Sequence, residues 1–385
     1  MKTKHHFQNL LRLCSILVLV LVQLRGSAQP LRERETPIEN QSIMLALLLD
    51  TSNSMDGLID QAKSQLWKIV NELSAAKCGD GKRPTIRIAL YEYGNDGLLS
   101  SEGYIRLVSP LTNDLDVISE KLFSLTTNGG NEYCGYVIKK SLTQLDWSDS
   151  KSDLKMIFIA GNEPFTQGSV SYNVACSLAK EKGVIVNTIF CGNFDEGINT
   201  QWKNGADMTG GSYMSIEQNR KTVFIATPYD DRISALNDKI NDTYVYYGKS
   251  GASRKQNQFQ QDKNAESYGL SNKVNRAVSK SSQAYENSSW DLVDASKNDD
   301  KAIATAKDED LPKEMKGMSV EKRKEYIEQK ASERAEIQNE IQSLNKKRLE
   351  YINANTPKDE QGSMLDAAMI KAIKQQAASK NFSWK

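Results

Sequence analysis

Three oxygen-bearing side chains stand at alternating positions at the end of a continuous apolar run. The run covers residues 43–50 and ends in Asp50, and Ser52 and Ser54 follow. After a buried strand, a carboxylate and two hydroxyls in this spacing can converge on one point, and hard cations such as Mg2+ prefer oxygen ligands. The alternative is a strand-to-helix turn in which the serines cap the next helix. The spacing alone leaves both interpretations open.

Strand-like and helix-like patterns alternate from residue 43 to residue 250. Strands are predicted at residues 43–50, 85–93, 104–108, 155–160, 184–191 and 212–216, and helices at residues 57–77, 115–125, 135–145, 171–182 and 230–240. This alternation predicts an α/β fold with a doubly wound, mostly parallel six-stranded sheet flanked by helices. Ligands of such sheets bind beyond the carboxyl ends of the strands, so we expect a site in the loops after Asp50, Ala160 and Cys191.

The first residues have the pattern of a secretory signal peptide. A basic start precedes a short apolar run at residues 16–22, and small residues end at Ala28. We therefore expect residues 1–28 to be removed on export and residues 29–41 to form a linker. The two histidines of the chain, His5 and His6, lie in the segment expected to be removed. That segment also carries four basic residues and no acid, so the formal charge changes from +1 to −3.

A mature chain without histidine excludes several classes of enzyme. Ser-His-Asp and Cys-His nucleophiles and histidine-ligated zinc all need the missing side chain. Catalysis by carboxylates, lysine or a bound metal stays open. The near-neutral charge gives no sign of nucleic-acid binding, and the apolar run is too short for an ordinary membrane span of roughly 20 residues.

The composition changes after residue 250. Residues 251–310 are rich in Ser, Asn, Gln, Lys and Asp, which predicts a polar linker or a weakly docked helical segment. Residues 311–385 are predicted to be helical, with helices at 319–352 and 364–378 separated by Pro357. Four residues of the first helix form a heptad-like seam that Arg348 interrupts: Ile337, Ile341, Leu344 and Tyr351. A helical hairpin and a coiled-coil surface for oligomerisation both fit this pattern.

The order of these elements and the first loop resemble the von Willebrand factor type A (VWA) domain. The metal ion-dependent adhesion site of that family begins with Asp-x-Ser-x-Ser, which Asp50, Ser52 and Ser54 match. The resemblance covers residues 42–250. Two further segments are similar to segments of exported family members from Bacteroidetes-type bacteria: Asn162-Glu163-Pro164 and Trp202-x-x-Gly205-Ala206.

The other two metal loops of the family are altered in this chain. Asn131 stands where the second loop usually has a threonine, with Glu132 beside it, and Gly161 stands where the third loop usually has an aspartate. The resemblance implies a site for Mg2+, or for Mn2+ or Ca2+, formed by Asp50, Ser52, Ser54, Asn131, Glu132 and Glu163. Its three acids would repel one another unless a cation or a proton neutralised them.

Four cysteines follow the predicted signal peptide: Cys78, Cys134, Cys176 and Cys191. An even number in an exported protein permits two disulfides. The predicted topology brings Cys134 and Cys191 to the same end of the sheet, so we favour a disulfide between them over the metal loops. Buried free thiols are the alternative.

The resemblance implies a non-enzymatic binding module. A divalent cation at the site would take a carboxylate from a protein partner, in the periplasm or at the cell envelope. Two alternatives are an accessory subunit of an envelope-assembly or metal-insertion complex and a metal-dependent hydrolase. The hydrolase is disfavoured because the mature sequence has no histidine, no nucleophile elbow and no second cluster of acids.

Overall fold

The computed structural model of the chain describes residues 41–222, 224–299, 301–356 and 365–384. The predicted signal peptide, all but the last residue of the predicted linker, and Pro357 lie outside the described residues. The described residues all belong to one unit, Asn40–Lys385.

A six-stranded sheet occupies the middle of the described structure. Its strands are β1 (Ser42–Asp50), β2 (Thr85–Tyr93), β3 (Ile105–Thr112), β4 (Leu154–Gly161), β5 (Ile185–Cys191) and β6 (Tyr213–Ile216), in the order β3-β2-β1-β4-β5-β6. All neighbours pair in parallel except β2 and β3. Every residue of β4, and all of β1 after Ser42, is buried, which is why the sequence is continuously apolar from Ile43 to Leu49 and after Lys155 in β4. The predicted α/β fold class is confirmed.

Thirteen α-helices are present in the described residues. They are α1 (Asp56–Ser74), α2 (Leu115–Phe123), α3 (Cys134–Gln144), α4 (Tyr172–Glu181), α5 (Phe194–Asn199), α6 (Trp202–Asp207), α7 (Asp230–Asn241), α8 (Gly251–Ser267), α9 (Leu270–Lys280), α10 (Leu292–Asn298), α11 (Ala302–Thr305), α12 (Val320–Asn355) and α13 (Leu365–Ala378). Helices α1, α2, α7, α9 and α13 share one hydrophobic core with one face of the sheet. Helices α3, α4 and α6 form a second core on the other face.

Residues 251–310 differ from the expected polar linker or weakly docked segment. Helices α8 and α9 pack against α2, α1 and α7, and Val274 and Ala277 are fully buried in the core. The polar residues are buried as well, because they satisfy one another: Arg276 and Lys280 both form ion pairs with Asp262. Composition does not reveal such mutual pairing. For this reason a segment with the polarity of a linker is in fact an integral part of the fold.

The long helix α12 packs its heptad-like seam against other helices of the same chain. Apart from Arg323 near its start, its buried residues recur every seven positions as Ile327, Arg334, Ile341 and Arg348. Arg348 does not interrupt the seam, because its Nε donates to Asp230 Oδ1 of α7 at 2.8 Å. Arg334 is held in the same way by buried carboxylates on and just before α10. The predicted oligomerisation through these helices stays a prediction.

Helix α13 packs against α1 rather than pairing with α12 as the predicted hairpin. The side chain of Gln61 in α1 accepts from Leu365 N at 3.2 Å, and that of Gln65 accepts from Asp366 N at 2.7 Å. These two bonds satisfy backbone donors at the start of α13 that no helical carbonyl can reach. The last described residue, Trp384, also donates to the carbonyl of Glu72 at 2.8 Å.

The expected disulfide between Cys134 and Cys191 is not formed. All four cysteines of the described residues are buried and free. Cys134 packs in the core on one face of the sheet and Cys191 in the core on the other. Because the sheet separates the two cores, nearness to the same end of the sheet does not bring the two thiols together.

None of the helices in the described ranges is long and apolar enough to cross a membrane.

We predict that Arg348→Ala lowers the free energy of unfolding of the full chain by about 3–5 kcal/mol, because it leaves the buried Asp230 carboxylate without its cation. Urea denaturation followed by circular dichroism measures the loss. Arg232→Ala, which breaks a half-exposed ion pair with Glu340 between the same two helices, is the matched control and is expected to cost much less. Equal losses in the two variants would contradict a buried role for Arg348.

Candidate metal site

The candidate site begins at the carboxyl end of the central strand. Asp50 is the last residue of β1 and pairs in register with Tyr93 at the end of β2. Its side chain is fully buried, and Oδ1 accepts a hydrogen bond from Ser52 N at 2.8 Å. Because β1 lies between β2 and β4, the loops that follow all three strands meet around this carboxylate.

The two serines face this site and do not cap the helix that follows. Ser52 precedes a short 3-10 helix at Asn53–Met55, and its side chain makes no capping hydrogen bond. Its hydroxyl lies 3.2 Å from that of Ser54 and within hydrogen-bonding reach of the Asp50 carboxylate. Ser54 in turn accepts from Asn162 Nδ2 at 3.2 Å. The capping interpretation of the motif is therefore wrong, and the serine oxygens are free to serve the site.

The second loop brings Glu132, not Asn131, against Asp50. The Glu132 side chain is buried and lies within hydrogen-bonding reach of both Asp50 and Ser52, whereas Asn131 is exposed. A Cβ atom at position 94 would lie 2.7 Å from Asp50 Oδ1 and 2.8 Å from Glu132 Cγ. Gly94, which has a φ of +78°, therefore leaves the room that the two carboxylates occupy.

The third loop contributes backbone and amide groups. The side chain of Glu163 is exposed, but its backbone N–H lies near the Glu132 carboxylate and lowers its pKa, while burial raises it more. Trp202 Nε1 donates to the carbonyl oxygen of Glu163 at 2.8 Å, and the ring of Trp202 packs 4.9 Å from that of Phe165. The two sequence segments that resemble exported family members are thus in direct contact, and Trp202 holds the third loop in place.

Tyr93 occupies the space beside Gly161. Its hydroxyl donates to the carbonyl of Ala160 at 3.0 Å and would lie 2.5 Å from a Cβ atom at position 161. The same Cβ atom would lie 3.1 Å from Asp50 Oδ2. A side chain at position 161 therefore has no room while Tyr93 keeps this rotamer, and the acid facing Asp50 comes from the second loop instead.

Two buried carboxylates in contact give the site an unbalanced charge. Asp50 Oδ2 and Glu132 Oε2 are buried and receive no hydrogen bond from any donor in the described residues. Burial first, and then the Glu132 carboxylate, raise the pKa of Asp50 well above its usual range, and burial raises the pKa of Glu132. Such a pair holds either a proton or a cation. The neighbouring serine hydroxyls complete an all-oxygen set that fits a hard divalent ion.

Three residues near the site were not among the predicted ligands. The Tyr93 hydroxyl donates to the carbonyl of Ala160, and Asn162 Nδ2 donates to the hydroxyl of Ser54. Gln167 Oε1 accepts from Glu132 N at 2.6 Å. Tyr93 could have been found from the parallel register of β1 and β2 combined with the glycine at 161. Gln167 carries no sequence signal, because the turn that brings it to Glu132 is set by tertiary contacts.

The family model for the von Willebrand factor type A domain matches residues 45–250, more than half of the chain. The chain belongs to this family. No curated protein sequence matches the chain.

Solved structures with a similar fold include three distant ones. BatB from Bacteroides thetaiotaomicron is 15% identical over 46% of this chain and 90% of its own, with a TM-score of 0.35. An aerotolerance-related membrane protein from Bacteroides fragilis is 14% identical over 46% of this chain and 94% of its own, with a TM-score of 0.32. Proximal thread matrix protein 1 from mussel byssus is 12% identical over 47% of this chain, with a TM-score of 0.34, and this chain spans 43% of its length.

We predict that Gly161→Ala destabilises the fold by about 1–3 kcal/mol, because the added methyl group overlaps the Tyr93 hydroxyl. Adding Tyr93→Phe removes that hydroxyl and recovers part of the loss, although the Ala160 carbonyl then loses its donor. Urea denaturation of the two single variants and the double variant measures the coupling energy. Strictly additive losses would show that the two positions do not compete for the same space.

Proposed function

We propose that this chain is a non-enzymatic binding protein that takes up a divalent cation, Mg2+ in the first place, at the Asp50–Glu132 pair and uses it to bind a protein partner. The observation that carries the proposal is the pair of buried carboxylate oxygens, Asp50 Oδ2 and Glu132 Oε2, that receive no hydrogen bond in the described residues. Domains of this family are generally protein-interaction modules without catalytic activity, and they commonly bind a divalent metal at the Asp-x-Ser-x-Ser motif.

The buried residues are the ligands that we assign: Asp50, Ser52 and Glu132, together with the hydroxyl of Ser54. They combine two carboxylates with two hydroxyls, the donor types that Mg2+ and Mn2+ accept. The exposed side chains of Asn131 and Glu163 remain candidates for a contact through water or with the partner. We keep them as separate arms of the test below.

A cation held from one side by these groups would keep solvent ligands on the other. Exchange of one water for a carboxylate oxygen would then connect the protein to an acidic side chain of its partner. We propose that this happens outside the cytoplasm, at the cell envelope, because the sequence begins with the pattern of a signal peptide.

Calorimetric titration of the full chain with Mg2+ and Mn2+ is expected to show one site whose affinity rises with pH. The metal-free fold is stabilised by protons below the ordinary pKa of the carboxyls, roughly 4. This stabilisation is lost as the pH rises through the raised pKa values of Asp50 and Glu132, and the cation then replaces the proton. Asp50→Asn and Glu132→Gln are expected to weaken binding about tenfold or more.

Three further variants separate the ligands from their surroundings. Glu196→Gln removes an exposed acid from α5, at the same edge of the sheet, and is expected to leave cation affinity unchanged. Asn131→Ala and Glu163→Gln are expected to have small effects if their side chains do not touch the ion. The absence of any heat or thermal stabilisation with either metal, across the pH range, would overturn the cation site.

Capture of a partner tests the second half of the proposal. The immobilised full chain is incubated with an envelope extract in Mg2+, and the bound proteins are identified by mass spectrometry. Wild type and Glu196→Gln are expected to capture the specific partner. Asp50→Asn, or wild type with a chelator, is expected not to capture it. Conversion of the carboxyl groups of the extract to amides is also expected to prevent capture. If the partner is still captured after the Asp50→Asn substitution, with the chelator and after amidation of the extract, the interface does not use the cation.

A further inference from the structure

A fully buried amine lies against two carboxamides of α7. Lys280, the last residue of α9, has no exposed surface. Its Nζ donates to Asn237 Oδ1 at 3.0 Å and also to Asn241 Oδ1. Both asparagines lie one turn apart on α7, and their side chains are buried. The amine is therefore next to the carbonyl group of each amide.

A carboxylate connects the amine with the amide nitrogen. Asp262 of α8 accepts from Lys280 Nζ through Oδ2 at 3.0 Å, and the same oxygen accepts from Asn241 Nδ2 at 2.7 Å and from Asn237 Nδ2 at 3.0 Å. The amide of Asn241 thus presents its carbonyl oxygen to the amine and its NH2 group to the carboxylate. This is the arrangement in which a carboxylate can take a proton from an attacking amine and give it to a leaving nitrogen.

We propose that Lys280 and Asn241 join in an intramolecular amide bond that the folded protein forms by itself. The neutral amine attacks the Asn241 side-chain carbonyl carbon, and a C–N bond forms to Nζ. Asp262 accepts the proton that Nζ releases and passes it to Nδ2. The bond between the carbonyl carbon and Nδ2 then breaks and ammonia leaves. Nothing is oxidised or reduced, and no co-reactant is needed.

The surroundings of Lys280 favour the neutral form of its amine, which is the form that reacts. Arg276, also fully buried, places its guanidinium against Asp262, with Nε 3.0 Å from Oδ1. The pKa of the Lys280 amine is lowered to about 8, because burial and the neighbouring Arg276 cation together outweigh the opposing effect of Asp262. The neutral nucleophile is therefore accessible in mildly alkaline solution. The pair is also held in contact before reaction, which removes most of the entropic cost of bringing the groups together.

The bond would join the last helix of the family domain to the C-terminal extension. Helix α7 lies within the matched range, residues 45–250, and α9 lies beyond it. Such a bond closes a loop of the chain between residues 241 and 280, which restricts the unfolded state as a disulfide does. Unlike a disulfide, it does not depend on the redox conditions around the protein.

Mass spectrometry of the purified full chain, unfolded and reduced, tests the proposal directly. After incubation at mildly alkaline pH, wild type is expected to be lighter than its sequence by one ammonia. Trypsin is expected to release residues 240–249 linked to residues 277–297, since a modified Lys280 is not cleaved. A bond to Asn237 would instead link residues 233–239 and would overturn the assignment of Asn241. Folded wild type of full mass, with separate peptides 240–249 and 277–280, would overturn the bond itself.

Variants assign the roles of the three groups. Lys280→Arg keeps the positive charge and Asp262→Asn keeps the shape, and both are expected to retain the full mass. Asn241→Asp is expected to lose water in place of ammonia, whereas Asn237→Ala is the matched control and still loses ammonia. A variant with Lys280→Arg that loses ammonia would contradict the proposal. The peptide analysis of wild type decides the question even where a variant does not fold.

Discussion

The burial of two like charges at the end of the central strand is the constraint on which the site depends. Asp50 has no exposed surface, and the sheet places it where three loops converge. Glu132 lies against it, and each carboxylate keeps one oxygen that no donor in the described structure reaches. Removing such charges from water is costly unless a proton or a cation accompanies them. Gly94 leaves space for this pair, and Gly161 leaves space for Asp50 and for the Tyr93 hydroxyl beside it.

The sheet and its flanking helices were predictable from the sequence because burial on both faces produces continuous apolar strands. The run that becomes β1 is an example, and each predicted strand has an observed counterpart. The extension was not predictable in the same way. Residues such as Arg276 and Asp262 look like solvated polar positions, and only the fold shows that they satisfy each other in the interior. Arg348 likewise looks like a break in a seam and is instead one of its buried members.

Some residues of the candidate site were also predictable from the sequence, and others were not. Asp50, Ser52 and Ser54 were predictable because they match the first-loop motif of the family, although their spacing alone left helix capping open. The choice between Asn131 and Glu132 was not, because adjacent residues of a loop point in different directions that only the backbone path decides. The pairing of Tyr93 with Gly161 depends on the register of neighbouring strands. A list of motif residues contains no information about register, so it does not predict that Tyr93 lies beside Gly161.

The pKa values of two buried aspartates are shifted in opposite directions, and the two side chains differ in the charge of their neighbours. Before the proposed amide bond forms, Asp262 lies against the Lys280 and Arg276 cations, which hold the pKa of its carboxyl well below the usual range despite the opposing effect of burial. Asp50 is equally buried, but its charged neighbour is Glu132, and its pKa is raised. The same side chain is therefore already neutralised by resident cations in one place and left without one in the other. In the described structure no side chain supplies such a cation to Asp50, and this contrast supports the cation site that we propose.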